Sequence, residues 1–348
     1  MTIRTLIGYL CLRRSAIHTI ANSRSAVWLG LLFVLSAGLA REYDGEDLLH
    51  QPWHALIPLA ASTLLALILY VLVWFGARCR DTFPASFFGG FPSFLSLYWM
   101  TAPLAWLYAI PYEMFLSPAE ATAANLWTLG IVSVWRVVIM IRVVSVRYGA
   151  DPWAALFLVM LFADSVALYA LAVVPLPVFS IMGGIRLTPS ERLIHDITCS
   201  IQVLGSLTWP LWLLLTAISL KRTNLYWLPR DWRHPENPPA ARSLWLLATF
   251  SLVIWVPILP FTQPAQQLRY RAEQLLRDDK LTEAIEFMSQ HDRSDFPPHW
   301  DPPPRTGYGE TRPDISDVLD ALLQPEVSPW VREVYADKAR SINTPISE

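Results

Sequence analysis

Seven apolar stretches punctuate the 348-residue chain: Ser25–Ala40, Ala55–Ala77, Phe94–Leu116, Asn125–Val146, Trp153–Val174, Ile197–Leu220 and Leu244–Phe261. A helix needs about 20 mostly apolar residues to cross the hydrocarbon of a bilayer. Inside hydrocarbon every backbone N–H and C=O must find its partner within the protein, which leaves helices or closed barrels. The stretches have the lengths of helices. Composition agrees, because 53% of residues are hydrophobic and only 16% charged, against roughly 25% charged in a soluble domain. The expected fold class is therefore all-α: a polytopic transmembrane helix bundle of about seven spans with a small C-terminal helical tail outside it. Trp28, Trp53, Trp74, Trp99, Trp127, Trp153 and Trp245 sit near span ends, where an amphipathic ring suits the headgroup level.

Lys and Arg sort between alternate loops. Thirteen fall before the first span and in the second, fourth and sixth loops, counting Arg142 at the end of span four with the fourth loop, whereas the other loops hold only Arg41, Arg186 and Arg192. Short cytoplasmic loops carry the excess of basic residues, so the N-terminus is expected in the cytoplasm and the tail after Phe261 outside it. The first stretch, at sixteen residues, is the weakest. Gly38-Leu39-Ala40 would also suit a signal-peptide cleavage after Ala40, although the long segment before it argues otherwise. Residues 1–24 mix apolar side chains with Arg13, Arg14 and His18 and read as an amphipathic segment lying on the cytoplasmic leaflet. Cys11 and Cys79 fall on one side of the membrane and Cys199 on the other, so no disulfide is expected.

Local signals mark several helix ends. Ser117-Pro118-Ala119-Glu120 is a capping box with Pro at the first helical position, and Thr188-Pro189-Ser190-Glu191 repeats it. Asp151-Pro152 starts a further helix just after Gly149 stops the preceding one. Spans four and five thus form a tight hairpin turning near Ala150. Pro103, Pro111, Pro210, Pro257 and Pro260 should kink or break their helices, because each removes an N–H and crowds a carbonyl one turn back. The segments Phe83–Phe94 and Pro175–Leu187 are expected to lie in the interface, with a re-entrant course as the alternative.

Arg136 and Asp164 are the ionisable residues deepest within apolar runs. Each costs roughly 2.5–3.5 kcal/mol at a span centre. They stand fourteen residues to either side of Ala150, so at equal rise per residue they reach equal depth. This makes them a candidate intramembrane ion pair. Its simplest role is to fix which helix faces meet, and the functional reading is a relay in a transporter. The opposite possibility is that each side chain faces a different partner.

Other candidates are weaker. The first outer loop carries Glu42, Asp44, Glu46 and Asp47 followed by His50 and His54. Carboxylates beside imidazoles suit a divalent metal, but Pro52 interrupts the two histidines, and a solvated acidic loop is the simpler reading. Glu113 is either a cavity residue or an interfacial one, and so are His195 and Asp196. The chain holds no phosphate-binding loop, nucleophile elbow or zinc cluster. Accordingly no catalytic, cofactor-binding or metal residue is assigned, no cofactor is expected, and no nucleic-acid partner.

Residues 263–348 change character, with sixteen acids and ten bases. Helices are expected over Pro264–Arg277, Thr282–Gln290, Asp314–Leu323 and Pro329–Ile342, the last capped by Ser328. The first two resemble a single tetratricopeptide-type hairpin, which cannot bury its face alone. It should pack on the bundle, on a partner or on the rest of the tail. Residues 295–313, rich in proline, read as a semi-rigid linker.

Tyr98–Glu113 (YWMTAPLAWLYAIPYE) and the later NLWTLGIVSVWRVV resemble uncharacterised multi-spanning membrane proteins of bacteria. The resemblance covers spans three and four, implies a bacterial plasma membrane, and carries no activity and no functional residue. The sequence thus reads as 1–24 amphipathic segment, 25–262 membrane domain and 263–348 tail. The leading expectation is a non-enzymatic anchor or scaffold offering its tail to a protein partner. The alternative is a secondary transporter or channel using Arg136 and Asp164.

Overall fold

A computed structural model describes residues 1–43, 46–78, 87–173, 189–222, 238–298, 300–303, 315–323 and 327–343. Asp44, Cys79, residues 83–86, the Pro175–Leu187 segment, the Thr188 cap and the part of the proline-rich strip from 304 to 313 lie outside the described residues. The helices are α1 (Ile3–Leu10), α2 (Arg14–Ala21), α3 (Ser25–Glu42), α4 (Ile57–Arg78), α5 (Phe87–Trp99), α6 (Pro118–Tyr148), α7 (Pro152–Val173), α8 (Pro189–Arg222), α9 (Arg242–Val253), α10 (Trp255–Arg277), α11 (Leu281–Ser289), α12 (Ile315–Ala321) and α13 (Pro329–Asn343). No strand occurs among the described residues. Among the described residues, six helices are long and apolar enough to cross a membrane: α3, α4, α6, α7, α8 and the nearly continuous α9–α10.

The expected third span, Phe94–Leu116, is not one long helix. It runs as α5, then a 3₁₀ helix over Ala102–Ala109, then a 3₁₀ turn over Tyr112–Met114. Pro103 and Pro111 explain the change, since neither can donate to an α-helical ladder. α5 also begins earlier than the apolar run suggested, so its first turns occupy part of the expected interfacial segment. The broken segment nevertheless follows α3 along its length. Ser93 donates to the Ala21 carbonyl (2.7 Å), Trp106 Nε1 to Ser36 Oγ (3.2 Å) and Tyr43 to the Ala109 carbonyl (3.0 Å). Midway, a Cβ added to Gly30 would stand 2.8 Å from Trp99 Cβ. The partners rise together in both numberings, so the two stretches of chain are parallel. From Gly30 to Tyr43 an α-helix advances about 20 Å, and from Trp99 to Ala109 a mostly 3₁₀ path covers about the same distance in fewer residues.

α9 also runs parallel to α3. Ser23 Oγ donates to the Pro238 carbonyl (2.9 Å) and Ser36 Oγ to the Ser251 carbonyl (2.6 Å), both across 215 residues. α3 therefore sits between two parallel neighbours, and its small residues permit the approach. Because α9 and α3 point the same way, α10 leaves the bundle at the same end as the loop after α3.

Several local signals are realised. Ser117 N–H and hydroxyl donate to the Glu120 carboxylate (3.2 and 2.7 Å), Gly149 ends α6 in the left-handed region at φ 62°, and Asp151 accepts the Trp153 N–H (3.0 Å). α9 gives way to α10 at Ile254, within reach of the ring of Pro257, whose missing N–H would have served the Val253 carbonyl. The expected separate helix from Pro264 does not exist. Pro260 and Pro264 lie inside α10, which continues from the membrane segment into the tail.

The N-terminal helices pack on the bundle. Tyr9, Ile17 and Ile20 are fully buried, Tyr9 OH donates to the Leu97 carbonyl (2.5 Å), and Trp135 Nε1 donates to the Leu10 carbonyl (3.0 Å). Of the span-end tryptophans, Trp28, Trp53, Trp127 and Trp153 are exposed as an interfacial belt requires, but Trp99 is buried against Gly30.

The tail has its own core. Ala272, Ile285, Met288, Phe296, Trp300, Val318, Leu322, Val327, Val331 and Tyr335 bury together. The α10–α11 hairpin therefore covers its apolar face with the rest of the tail. The first part of the proline-rich strip belongs to this core. Phe296 stacks on Trp300 (4.7 Å between ring centres), Tyr335 OH donates to the Pro303 carbonyl (3.0 Å), and Lys338 pairs with Asp301 (2.9 Å). Burial pushes the Tyr335 phenol above its ordinary pKa, and Asp301 pushes it the same way. Ser328 does not cap α13: its hydroxyl is buried with no hydrogen-bond partner, while its N–H donates to Ser289 Oγ (3.1 Å).

Candidate functional site

The two deep charges do not meet. Arg136 Nε donates to Thr101 Oγ1 (3.1 Å), and its guanidinium lies 5.4 Å from the centre of the Tyr98 ring. Asp164 accepts from Thr208 Oγ1 on α8 (2.6 Å). Equal depth on a hairpin fixes height but not rotation. α6 turns Arg136 toward the broken third segment, and α7 turns Asp164 toward α8. Next to it Trp209 Nε1 donates to Ser165 Oγ (2.8 Å), and Phe157 stacks with Trp212. Such polar ties between apolar helices are worth about 0.6 kcal/mol each on average. Each charge thus bonds a neighbouring segment of the bundle.

Chemistry-bearing groups gather instead at the end of the bundle where α3 stops and α10 leaves. Gln263 organises this junction. It is 2% exposed, accepts from the Leu48 N–H (2.8 Å), and donates through Nε2 to the Tyr43 and Glu46 carbonyls (3.1 and 3.2 Å). Thr262 Oγ1 also donates to the Tyr43 carbonyl (2.7 Å). Buried backbone groups of an irregular loop require partners, and α10 supplies them. Asp47 is buried and accepts from the Leu49 and His50 N–H groups and from His50 Nδ1 (2.6 Å). The exposed His50 ring stacks on Tyr270 of α10.

Within this loop Glu42, Glu46 and His54 converge, each half-buried, with one ligand atom from each lying within 4.8 Å of the others. His54 joins the carboxylates, whereas His50 is spoken for by Asp47. Pro52 starts the 3₁₀ helix Pro52–Leu56 that brings His54 round, so the interruption that separates the histidines is also what places one of them. Arg41 Nε lies 3.4 Å from Glu42 Oε1. Arg41 also lines a cavity of about 320 Å3 with Glu113 and Asn125, where Asn125 Nδ2 donates to Glu113 Oε1 (2.5 Å). Glu113 is thus a cavity residue.

Beside the loop, deeper along α3, lies an apolar cavity of about 440 Å3 lined by Ser36, Tyr43, Trp106, Phe250, Trp255 and Ile258 among others. Ser36 Oγ is its polar centre, accepting from Trp106 Nε1 (3.2 Å) and Trp255 Nε1 (3.4 Å). On α8, Cys199 Sγ lies 3.5 Å from His195 Nε2 and His195 Nδ1 lies 3.4 Å from Asp196 Oδ1, a contact written in the one-turn spacing of Cys199 and His195.

Fold and junction define a polytopic all-helical protein built around α3, with a folded extramembrane tail carried on α10. No protein-family model, curated protein or solved structure matches the chain.

Proposed function

We propose that this protein is a non-enzymatic membrane anchor that presents its helical tail to a protein partner. The bundle sits in a bacterial plasma membrane with the N-terminus cytoplasmic and the tail outside, following the bias of Lys and Arg. The observation that carries this reading is α10. Its first half is fixed to the α3 loop through Gln263, and its second half buries Ala272, Leu275 and Leu276 in the tail. One 23-residue helix, about 35 Å long, thus joins the two and gives the tail a set position. The excess of acids in residues 263–348 keeps the tail off anionic headgroups and favours a partner with a basic face. Transport through Arg136 and Asp164 gains no support, since each has a separate partner within the bundle.

The test is site-specific photocrosslinking of the full-length protein in its native membrane from Leu323, a tail residue 82% exposed. A discrete protein adduct that is lost on competition with a purified excess of the tail-bearing protein is expected. Absence of any protein adduct from Leu323 and from other exposed tail positions would sink the anchor reading.

A further inference from the structure

We infer that Glu42, Glu46 and His54 form a binding site for a divalent transition-metal cation of the zinc type. Glu46 N–H donates to the Glu42 carbonyl (3.1 Å), which holds the two residues one helical turn apart with their carboxylates side by side. Like charges at that spacing repel, and here both side chains are half-buried, so screening by water is reduced. The nearest counter-charge is Arg41, whose side chain is 65% exposed and free to leave toward solvent. Of the other charged and titratable groups described in this loop, Asp47 and His50 pair with each other. A cation between the carboxylates removes the repulsion, and the imidazole of His54 completes a three-donor set.

Donor chemistry selects the cation. Magnesium and calcium take oxygen ligands, whereas an imidazole with two carboxylates suits zinc and its neighbours. Ligands at about 2.0–2.1 Å around a tetrahedral zinc stand about 3.4 Å from one another. Donor atoms already within 4.8 Å have at most about 1.4 Å to close to reach that spacing. Three protein ligands leave one position for water or a ligand. Gln263 holds the Tyr43 and Glu46 carbonyls and the Leu48 N–H beside them. A bound cation would tie the end of α3 to the start of α4 at the place where α10 departs, stiffening the base of the tail.

The experiment is calorimetric titration of the chelator-stripped full-length protein in nanodiscs with zinc chloride, with magnesium chloride as comparison. One zinc per chain and no magnesium uptake are expected. Losing a single ligand by Glu42→Gln, Glu46→Gln or His54→Ala should weaken binding by about tenfold or more, since even outer partners of metal ligands cost about 10–100-fold. His50→Gln should bind as the parent does. Cobalt in the unaltered protein should give the visible absorption of a four-coordinate site, a readout that survives if a variant fails to fold. No stoichiometric zinc uptake by the parent, or equal affinity in the parent and His54→Ala, would overturn the site.

Discussion

The membrane bundle and the tail both bury large side chains, but different forces hold their elements together. In the tail, Phe296, Trp300 and Tyr335 are buried, and the buried Lys338 pairs with Asp301 at the rim. The bundle buries Phe33, Tyr70 and Phe94 as well, yet it also turns large side chains outward: Trp127, Leu207 and Phe261 are all more than 70% exposed. Small residues and hydroxyls that reach carbonyls stand where its helices approach closely, as at Gly30, Gly38, Ser36 and Ser93. Water drives burial in the tail, because removing apolar surface from it is favourable. Lipid offers no such force between helices, so side-chain packing, close backbone approach and polar ties hold the bundle. The junction at Gln263 is where the two meet, and there the interior is made of hydrogen bonds.

The sharpest way to break this contrast is to truncate one large side chain in the tail. Trp300→Ala removes the stack on Phe296 and the hydrogen bond to Glu273 (2.9 Å), and should cost about 3–5 kcal/mol of tail stability. Hydrogen exchange in nanodiscs should show amides of α11 and α13 losing protection while those of α3 keep theirs. Simultaneous loss in α3 would mean that tail and bundle share one core.

Adding a single methyl group in the bundle probes the other side. Gly30→Ala places a Cβ 2.8 Å from Trp99 Cβ, an atom tied to its backbone, and overpacking of that kind costs about 1–3 kcal/mol. Gly130→Ala on α6, where nothing stands within 4 Å, should instead gain roughly 0.5–1 kcal/mol from the better helix former. Thermal unfolding in detergent separates the two. Equal effects at both positions would remove the claim that small residues set the spacing of α3.

The smallest expected effect concerns Arg136 and Asp164. Since they share no partner, Arg136→Leu and Asp164→Leu should be additive within about 0.3–0.5 kcal/mol. Thr101 Oγ1 keeps its bond to the Tyr98 carbonyl (2.7 Å) and Thr208 Oγ1 its bond to the Leu204 carbonyl (3.0 Å), so neither variant strands a hydroxyl. Recovery of stability in the double variant would restore the ion pair that depth alone suggested.

What the amino-acid order determined on its own is local. The all-helical class, the long apolar helices, the capping box at Ser117 and Glu120, the stop at Gly149 and the start at Asp151 all follow from groups within a few residues of one another. The breaks at Pro103 and Pro111 belong here too, because a missing N–H acts on its own turn. Tertiary structure alone decided rotation and partnership. Arg136 and Asp164 stood at one depth, yet the faces they occupy were set by Thr101 and Thr208, thirty-five and forty-four residues away. Phe296 and Trp300 lay in a strip that composition marked as a linker, and only α11, α12 and α13 gave them a core to enter. Ser328 carried a capping side chain, but Ser289 took its N–H. Glu42, Glu46 and His54 were visible as residue types in one loop. Their convergence required Gln263 of α10, 215 residues from Leu48, and no local pattern encodes a contact whose free energy depends on how the whole bundle closes.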